Sequence, residues 1–118
     1  MRLNHVNLAV TNVQETRAFF EKYFGMRPAN PKMGGDVIAV LFDDDGLVLT
    51  LSNPERATEV SYPASFHIGF IQPSPERVDE INRLLKADGY DVPPPSRQHG
   101  SWTFYFKAPG GFTIEVLA

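Results

Sequence analysis

The sequence predicts an α+β fold in which one module of a strand, a helix and further strands occurs twice. Residues 3–10 alternate in polarity at period two, as a strand with one buried face does, and residues 65–71 repeat the pattern. Each of these strands precedes a helical pattern that begins at a capping residue and ends at glycine. Each helix leads to an apolar hairpin. We therefore predict one domain, residues 1–118, with module one at 1–53, a connector at 54–64 and module two at 65–118.

The first helix is expected to begin after Thr11 or Asn12, both good capping residues, and to end at Gly25, where the chain needs a left-handed residue. Its predicted buried stripe consists of Val13, Phe20, Tyr23 and Phe24, with Phe19 on the flank. The rest of this module is predicted as a short strand near 27–31 and hairpin strands at 37–42 and 47–52.

The second helix is expected to begin at Ser74, because proline follows it at the first helical position, and to end at Gly89. Its predicted apolar stripe consists of Val78, Ile81, Leu84 and Leu85. The rest of this module is predicted as a short strand near 90–93 and hairpin strands at 102–107 and 112–117.

Composition excludes several classes of function. The net charge is −3 and the pI is about 5.5, so the chain lacks the basic surface of a nucleic-acid-binding protein. No apolar run approaches the roughly 20 residues of a membrane helix. The start of the chain has no basic-then-apolar signal segment, and we expect a cytoplasmic location. Without cysteine, any metal must be held by histidine or carboxylate.

Glu115 is the unusual residue of the last strand, because it lies between Ile114 and Val116 and a carboxylate there needs a partner. Aligning the two modules matches His5 with His67 and Thr50 with Glu115. Two imidazoles and one carboxylate form a facial triad that favours Fe(II), with Mn, Co, Ni and Zn as alternatives. Two simpler interpretations stay open: a strand histidine is commonly a hydrogen-bonded structural group, and Glu115 could pair with Lys107 across the hairpin.

Further side chains share the strand faces of these candidate ligands or lie near them. Ile38 and Val40 would form an apolar wall suited to a small organic molecule. The polar or aromatic residues predicted to bind substrate are Asn7, Thr50, Arg97, Trp102 and Thr103. His99 precedes the strand of Tyr105 and could transfer protons, although a loop histidine is more often solvated.

Three segments give the chain a resemblance to a known family. Asn4-His5-Val6, Phe66-His67-Ile68 and the run from Ala108 to Glu115 resemble the vicinal oxygen chelate superfamily, which includes glyoxalase I, bleomycin-resistance proteins, fosfomycin-resistance transferases and extradiol dioxygenases. The resemblance implies two βαβββ modules that form a cup-shaped sheet with helices on its outer face. It also implies that His5, His67 and Glu115 are metal ligands.

The resemblance also bears on activity. Glyoxalase I has a glutamate at the position of Thr50, so its absence argues against that activity. We therefore expect a metal-dependent enzyme, dioxygenase-like or a lyase, whose small substrate chelates the ion through vicinal oxygens, with Tyr105 and His99 as catalytic groups. The alternative is a metal-free protein that sequesters a drug, as bleomycin-resistance proteins do. Exposed strand edges predict a homodimer.

Overall fold

The computed structural model describes all residues, 1–118, and divides them into two compact units. The first unit comprises Met1–Ser61 with Pro109–Gly111, and the second comprises Tyr62–Ala108 with Phe112–Ala118. The elements in chain order are β1 (His5–Ala9), α1 (Val13–Phe24), β2 (Arg27–Pro28), β3 (Ile38–Phe42), β4 (Val48–Ser52), β5 (His67–Ile71), α2 (Pro75–Ala87), β6 (Ser96–Gln98), β7 (Ser101–Lys107) and β8 (Thr113–Leu117).

The first unit is a four-stranded sheet in the order β1-β4-β3-β2, with β1 parallel to β4 and the other pairs antiparallel. Helix α1 packs on β3 and β4. It begins at Asn12, whose side chain accepts a hydrogen bond from the backbone N–H of Glu15 (3.0 Å), and ends at Gly25 with φ 63°. The buried residues at the centre of this packing are Leu8, Val10, Val13, Phe20, Leu41 and Leu51.

The second unit repeats the arrangement, with the order β5-β8-β7-β6, β5 parallel to β8, and α2 packed on β7 and β8. Ser74 caps α2 by accepting from the backbone N–H of Arg77 (3.2 Å), and Pro75 follows it. The core residues here include Val78, Ile81, Leu85, Phe104, Phe112, Ile114 and Val116. The predicted α+β fold of two βαβββ modules is confirmed.

The strand predicted near 90–93 is wrong. The short strand of this module is β6, three residues long and after Pro93–Pro95, and prolines provide no N–H for a sheet. It joins β7 through His99 and Gly100, whose φ angles of 52° and 81° are those of a two-residue hairpin turn.

The helix faces also differ from the predicted stripes. In α1, Phe19 is buried (4% exposed) and its ring contacts Phe20 and Tyr23 at centroid distances of 5.6 and 5.1 Å, whereas Phe24 is only half-buried. In α2, Leu84 is exposed at the flank of a narrower stripe. Neither helix is long and apolar enough to cross a membrane.

Candidate active site in the second unit

Glu115 occupies the middle strand of three that carry the site. Its neighbours Ile114 and Val116 are fully buried towards α2, and alternation turns Glu115 to the opposite face of the sheet. The register places it between Gly69 of β5 and Tyr105 of β7. Only 13% of its side chain is exposed, so its charge depends on protein partners.

Two hydroxyl groups on β7 interact with this carboxylate. Thr103 Oγ1 donates a hydrogen bond to Glu115 Oε1 at 2.9 Å, and Tyr105 lies directly opposite Glu115 in the hairpin, close enough for the carboxylate to raise the pKa of its phenol. Glu115 does not form the alternative pair with Lys107: Lys107 lies opposite Thr113 in the hairpin, and the ion-pair contact of Glu115 is with His67. Glu115 is thus held from the β7 side by the Thr103 hydroxyl, with no lysine paired to it.

His67 approaches the carboxylate from the β5 side. Its Nδ1 lies 3.1 Å from the carbonyl oxygen of Ser65, which can only accept, so Nδ1 carries a proton and Nε2 of the neutral ring presents a lone pair. Nε2 lies 3.7 Å from Glu115 Oε2. The ring also meets Tyr105 edge to face, with centroids 5.4 Å apart. The imidazole is 44% exposed and therefore accessible to a ligand.

The separation of Nε2 and Oε2 suits a shared ion. At 3.7 Å it is longer than a hydrogen bond. It is shorter than the span of about 4.2 Å that two metal bonds of about 2.1 Å can reach. A second-sphere carbonyl that fixes the imidazole tautomer, as Ser65 does, is the usual companion of a metal-bound histidine. The donor atoms of His67 and Glu115 therefore fit a divalent metal.

No three histidine or acidic side chains come together in this structure as a metal-binding group. His5, the third predicted ligand, belongs to the first unit, where it is exposed and its Nδ1 lies 3.0 Å from Asn4 Oδ1. The structure thus brings two of the three predicted ligands together within the second unit.

The environment of Tyr105 raises the pKa of its phenol above the usual 10.0. Burial is the main cause, and the hydrogen bond to Glu115 and the negative charge of that carboxylate add to it. The phenol therefore stays neutral at physiological pH, as a hydrogen-bond donor beside the carboxylate.

The first unit carries a matching but chemically different face. Thr50 lies between Asn7 and Val40, as Glu115 lies between Gly69 and Tyr105, which confirms the predicted equivalence of the two positions in the repeat. Asn7 Oδ1 accepts a hydrogen bond from Ser52 Oγ at 2.9 Å. Together with the exposed Ile38, these residues make the first unit's face largely uncharged.

Three residues predicted to act near Tyr105 lie elsewhere in the second unit. Trp102 is on the helix side of the sheet, where its Nε1 donates to Asp79 Oδ1 at 2.7 Å, and the guanidinium of Arg97 lies over its ring at 5.8 Å. His99 is in the β6–β7 turn, about 20 Å from Tyr105 along an extended strand. The structure does not bring Arg97, His99 or Trp102 to Glu115 within this unit.

Sequence reasoning missed two features of the site. The Ser65 carbonyl could not be found from sequence, because a backbone group has no residue signature. Gly69 could have been found from sequence. It lies two residues after His67 in the same strand, so strand alternation places it on the same face of the sheet as His67, where it contributes no side chain. A Cβ added at Gly69 would lie 3.5 Å from Leu117 Cδ2 and 3.8 Å from Glu115 Oε2, so the glycine keeps side-chain bulk away from that oxygen.

Comparison with known proteins agrees with this fold. The family profile of the Glyoxalase/Bleomycin resistance protein/Dioxygenase superfamily matches residues 2–116. A possible glyoxalase from Bacillus cereus is 48% identical in sequence, with a TM-score of 0.88 over 100% of this chain and 99% of that chain. No curated protein matches the sequence significantly.

Two more distant structures share the fold alone. Lactoylglutathione lyase from Agrobacterium tumefaciens is 18% identical, with a TM-score of 0.76 over 98% of this chain and 92% of that one. A point mutant of the fosfomycin resistance protein FosX from Listeria monocytogenes, complexed with Mn(II) and 1S,2S-dihydroxypropylphosphonic acid, is 20% identical, with a TM-score of 0.79 over 99% and 91%. The profile match and the 48% identity show that the chain belongs to the glyoxalase/bleomycin resistance protein/dioxygenase superfamily.

Proposed function

We propose that this protein is a divalent-metal-dependent enzyme whose small substrate chelates the ion through two neighbouring oxygens. His67 and Glu115 hold the ion, and His5 supplies the third ligand, from the same chain or from a second copy. A set of imidazole and carboxylate donors favours Fe(II), followed by Mn(II), Co, Ni and Zn. When bound, the ion supplies a Lewis acid and a template for the substrate oxygens.

The observation that carries this proposal is the pairing of His67 with Glu115. A carboxylate only 13% exposed has no basic side chain of lysine or arginine beside it, and the nearest cationic candidate is an imidazole 3.7 Å away. The Ser65 carbonyl holds a proton on Nδ1, so in the neutral form of the ring a lone pair on Nε2 faces the carboxylate. A structural ion pair would need a second proton, on Nε2, within hydrogen-bond distance of Glu115, and the separation of 3.7 Å is longer than that distance.

Tyr105 is the group proposed to handle charge during the reaction. Its neutral phenol adjoins both Glu115 and His67 and is not fully buried, so its O–H can turn from Glu115 to donate to an oxyanion that develops on the substrate. Ile38 and Val40 of the first unit are proposed to contact the apolar part of the substrate. Asn7 and Thr50 are proposed to contact its polar groups.

The proposed reaction class rests on the proposed ligands and on the residue at the repeat position of Glu115. Thr50 stands at the repeat position of Glu115, and a hydroxyl there supplies neither a strong fourth ligand nor a general base. A site with a facial triad and open coordination positions favours dioxygenase-type chemistry on a catechol or related vicinal diol. Exposed residues at the edge strands, Leu3 before β1 and Ile71 in β5, support a homodimer as the assembly.

The experiment that tests the proposal is metal binding by matched histidine variants. Chelator-treated wild-type protein, His67→Ala and His99→Ala are reloaded anaerobically with Fe(II) or Mn(II), and bound metal is measured after desalting. His99→Ala is the control, because it removes an exposed imidazole from a hairpin turn. Wild type and His99→Ala should bind metal near stoichiometrically and His67→Ala should not. Equal metal in all three would refute the proposal.

Oxygen uptake by the loaded protein then tests the finer assignment. A panel of catechols and aliphatic vicinal diols should contain a substrate that consumes dioxygen with Fe(II) present. Metal binding without uptake on any member would refute the dioxygenase chemistry and leave the metal assignment intact. Tight binding of a panel member by chelator-treated protein, unchanged by His67→Ala, would instead favour a sequestering protein of the bleomycin-resistance type.

A further inference from the structure

We propose that Thr103 is a positioning residue that fixes the rotation of the Glu115 carboxylate, so that the oxygen not bonded to Thr103 is held facing His67, an inference that rests on the proposed metal site. The sequence predicts Thr103 as a substrate contact. Its side chain is instead completely buried, with 0% exposure, and its hydroxyl proton is already donated to Glu115 Oε1. A group with neither exposed surface nor a free proton acts through the residue that it contacts.

The two oxygens of Glu115 have separate partners. Oε1 accepts from Thr103 at 2.9 Å, and Oε2 is the atom 3.7 Å from His67 Nε2. A carboxylate can rotate about its last bond with little resistance, since that torsion is broad and two-fold. The hydrogen bond from Thr103 therefore selects one orientation and directs Oε2 towards the imidazole.

Threonine suits this role because of its stiffness. It is β-branched, and a branched side chain in a packed strand has few χ1 rotamers. The buried surroundings of Thr103 leave the hydroxyl no water to exchange with, so the donor direction is fixed by the strand. Tyr105 lies opposite Glu115 as well, but it is only half-buried and does not replace this constraint.

Removing the hydroxyl should weaken metal binding without removing a ligand. Outer-sphere partners of metal ligands commonly contribute about 10–100-fold to affinity, and we expect Thr103→Val to raise the metal Kd by that factor. Thr103→Ser keeps the hydroxyl donor and loses only a methyl group. The metal Kd of this variant should therefore stay within about threefold of the wild-type Kd, a much smaller change than the one expected for Thr103→Val.

The test measures Kd for Mn(II) and Zn(II) by competition with a fluorescent chelator, for wild type, Thr103→Val and Thr103→Ser, with circular dichroism and thermal unfolding of each metal-free protein. If Thr103→Val does not fold, Thr103→Ala removes the same hydroxyl without added bulk. Weak binding by the valine or alanine variant and rescue by serine support the proposal. Wild-type affinity in the hydroxyl-free variant, or equal losses in serine and valine, would overturn it.

Metal binding by wild type distinguishes failure of the proposed metal site from failure of the proposed role of Thr103. If wild type binds neither of these ions and also takes up no Fe(II) in the anaerobic reloading experiment, the proposed function fails and this inference fails with it. If wild type binds and the hydroxyl-free variant binds equally well, the metal site stands and only the positioning role of Thr103 is refuted.

Discussion

Replacing Glu115 by glutamine should separate stability from metal binding. Glutamine has the same shape and keeps a carbonyl oxygen that can accept the hydrogen bond from Thr103, so the metal-free protein should stay within about 1 kcal/mol of wild type. The charged oxygen opposite His67 is lost. We therefore expect metal affinity to fall at least about 100-fold, since loss of a direct ligand should exceed loss of an outer-sphere partner.

The size of the effect follows from mass action. Metal at a free concentration of about 100 times the wild-type Kd stabilises wild type by about 2.7 kcal/mol. For a chain of this size that corresponds to a rise in Tm of about 10 °C, at roughly 4 °C per kcal/mol. At the same concentration, a variant that binds 100-fold more weakly gains about 0.4 kcal/mol, less than about 2 °C.

The assay is thermal unfolding of wild type, Glu115→Gln and Glu59→Gln with and without Mn(II). Glu59 is exposed, so its glutamine variant matches the change in net charge without altering the site. Wild type and Glu59→Gln should show the full rise in Tm, and Glu115→Gln almost none. A full rise in Glu115→Gln would refute the reasoning, because the carboxylate would then not be a ligand.

Three further predictions concern the metal-free protein and the substrate face. In an ultraviolet titration, the Tyr105 component, identified by subtracting Tyr105→Phe, should titrate above pH 10.0, and Glu115→Gln should shift it downwards. Because folding raises the pKa of Tyr105, the contribution of this residue to the free energy of unfolding is present below pH 10.0 and is lost as the pH rises through the pKa of the folded state. An unshifted titration would contradict this prediction. Gly69→Val should retain metal but lower kcat/KM by adding side-chain bulk beside Glu115 and Leu117. Gly69→Ala, whose Cβ would make only ordinary contacts, should fold normally. Unchanged kcat/KM in the valine variant would argue against a substrate at this position. Thermal unfolding followed by circular dichroism and by Trp102 fluorescence should give one coincident transition, because a unit of about 60 residues buries a smaller share of its surface and would be only marginally stable alone. Two separate transitions would contradict the single-domain prediction.

Local chemistry made most of the fold predictable. Asn12 and Ser74 cap helices because their short polar side chains accept hydrogen bonds from backbone N–H groups that the first turn of a helix leaves free. Gly25 ends a helix because its φ of 63° would strain a residue with a side chain. Period-two alternation placed Glu115 opposite the face of Ile114 and Val116. The short strand after α2 was misplaced because pairing in so short a strand depends on the β6–β7 turn rather than on its own residues.

Sequence could predict which face of a strand each residue of the site occupies, but not the contacts that the side chains make there. Repeat symmetry selected His67 and Glu115, and alternation assigned Tyr105 and Thr103 to the same face. Alternation could not show that Thr103 is buried and hydrogen-bonded to Glu115. That bond joins diagonal rather than directly opposite positions of β7 and β8, and it depends on the rotamer of the Thr103 side chain. Sequence could not give the distance of His99 from the site: it lies in the β6–β7 turn, and the extended strand between it and Tyr105 keeps the two residues about 20 Å apart.

The most direct test of the account is the number of metal ions bound per chain by wild-type protein and by His67→Ala, with His99→Ala prepared in parallel. We expect near-stoichiometric Fe(II) or Mn(II) in wild type and in His99→Ala, and almost none in His67→Ala. Equal metal content in His67→Ala and wild type would show that the imidazole facing Glu115 is not a ligand and would contradict the central claim.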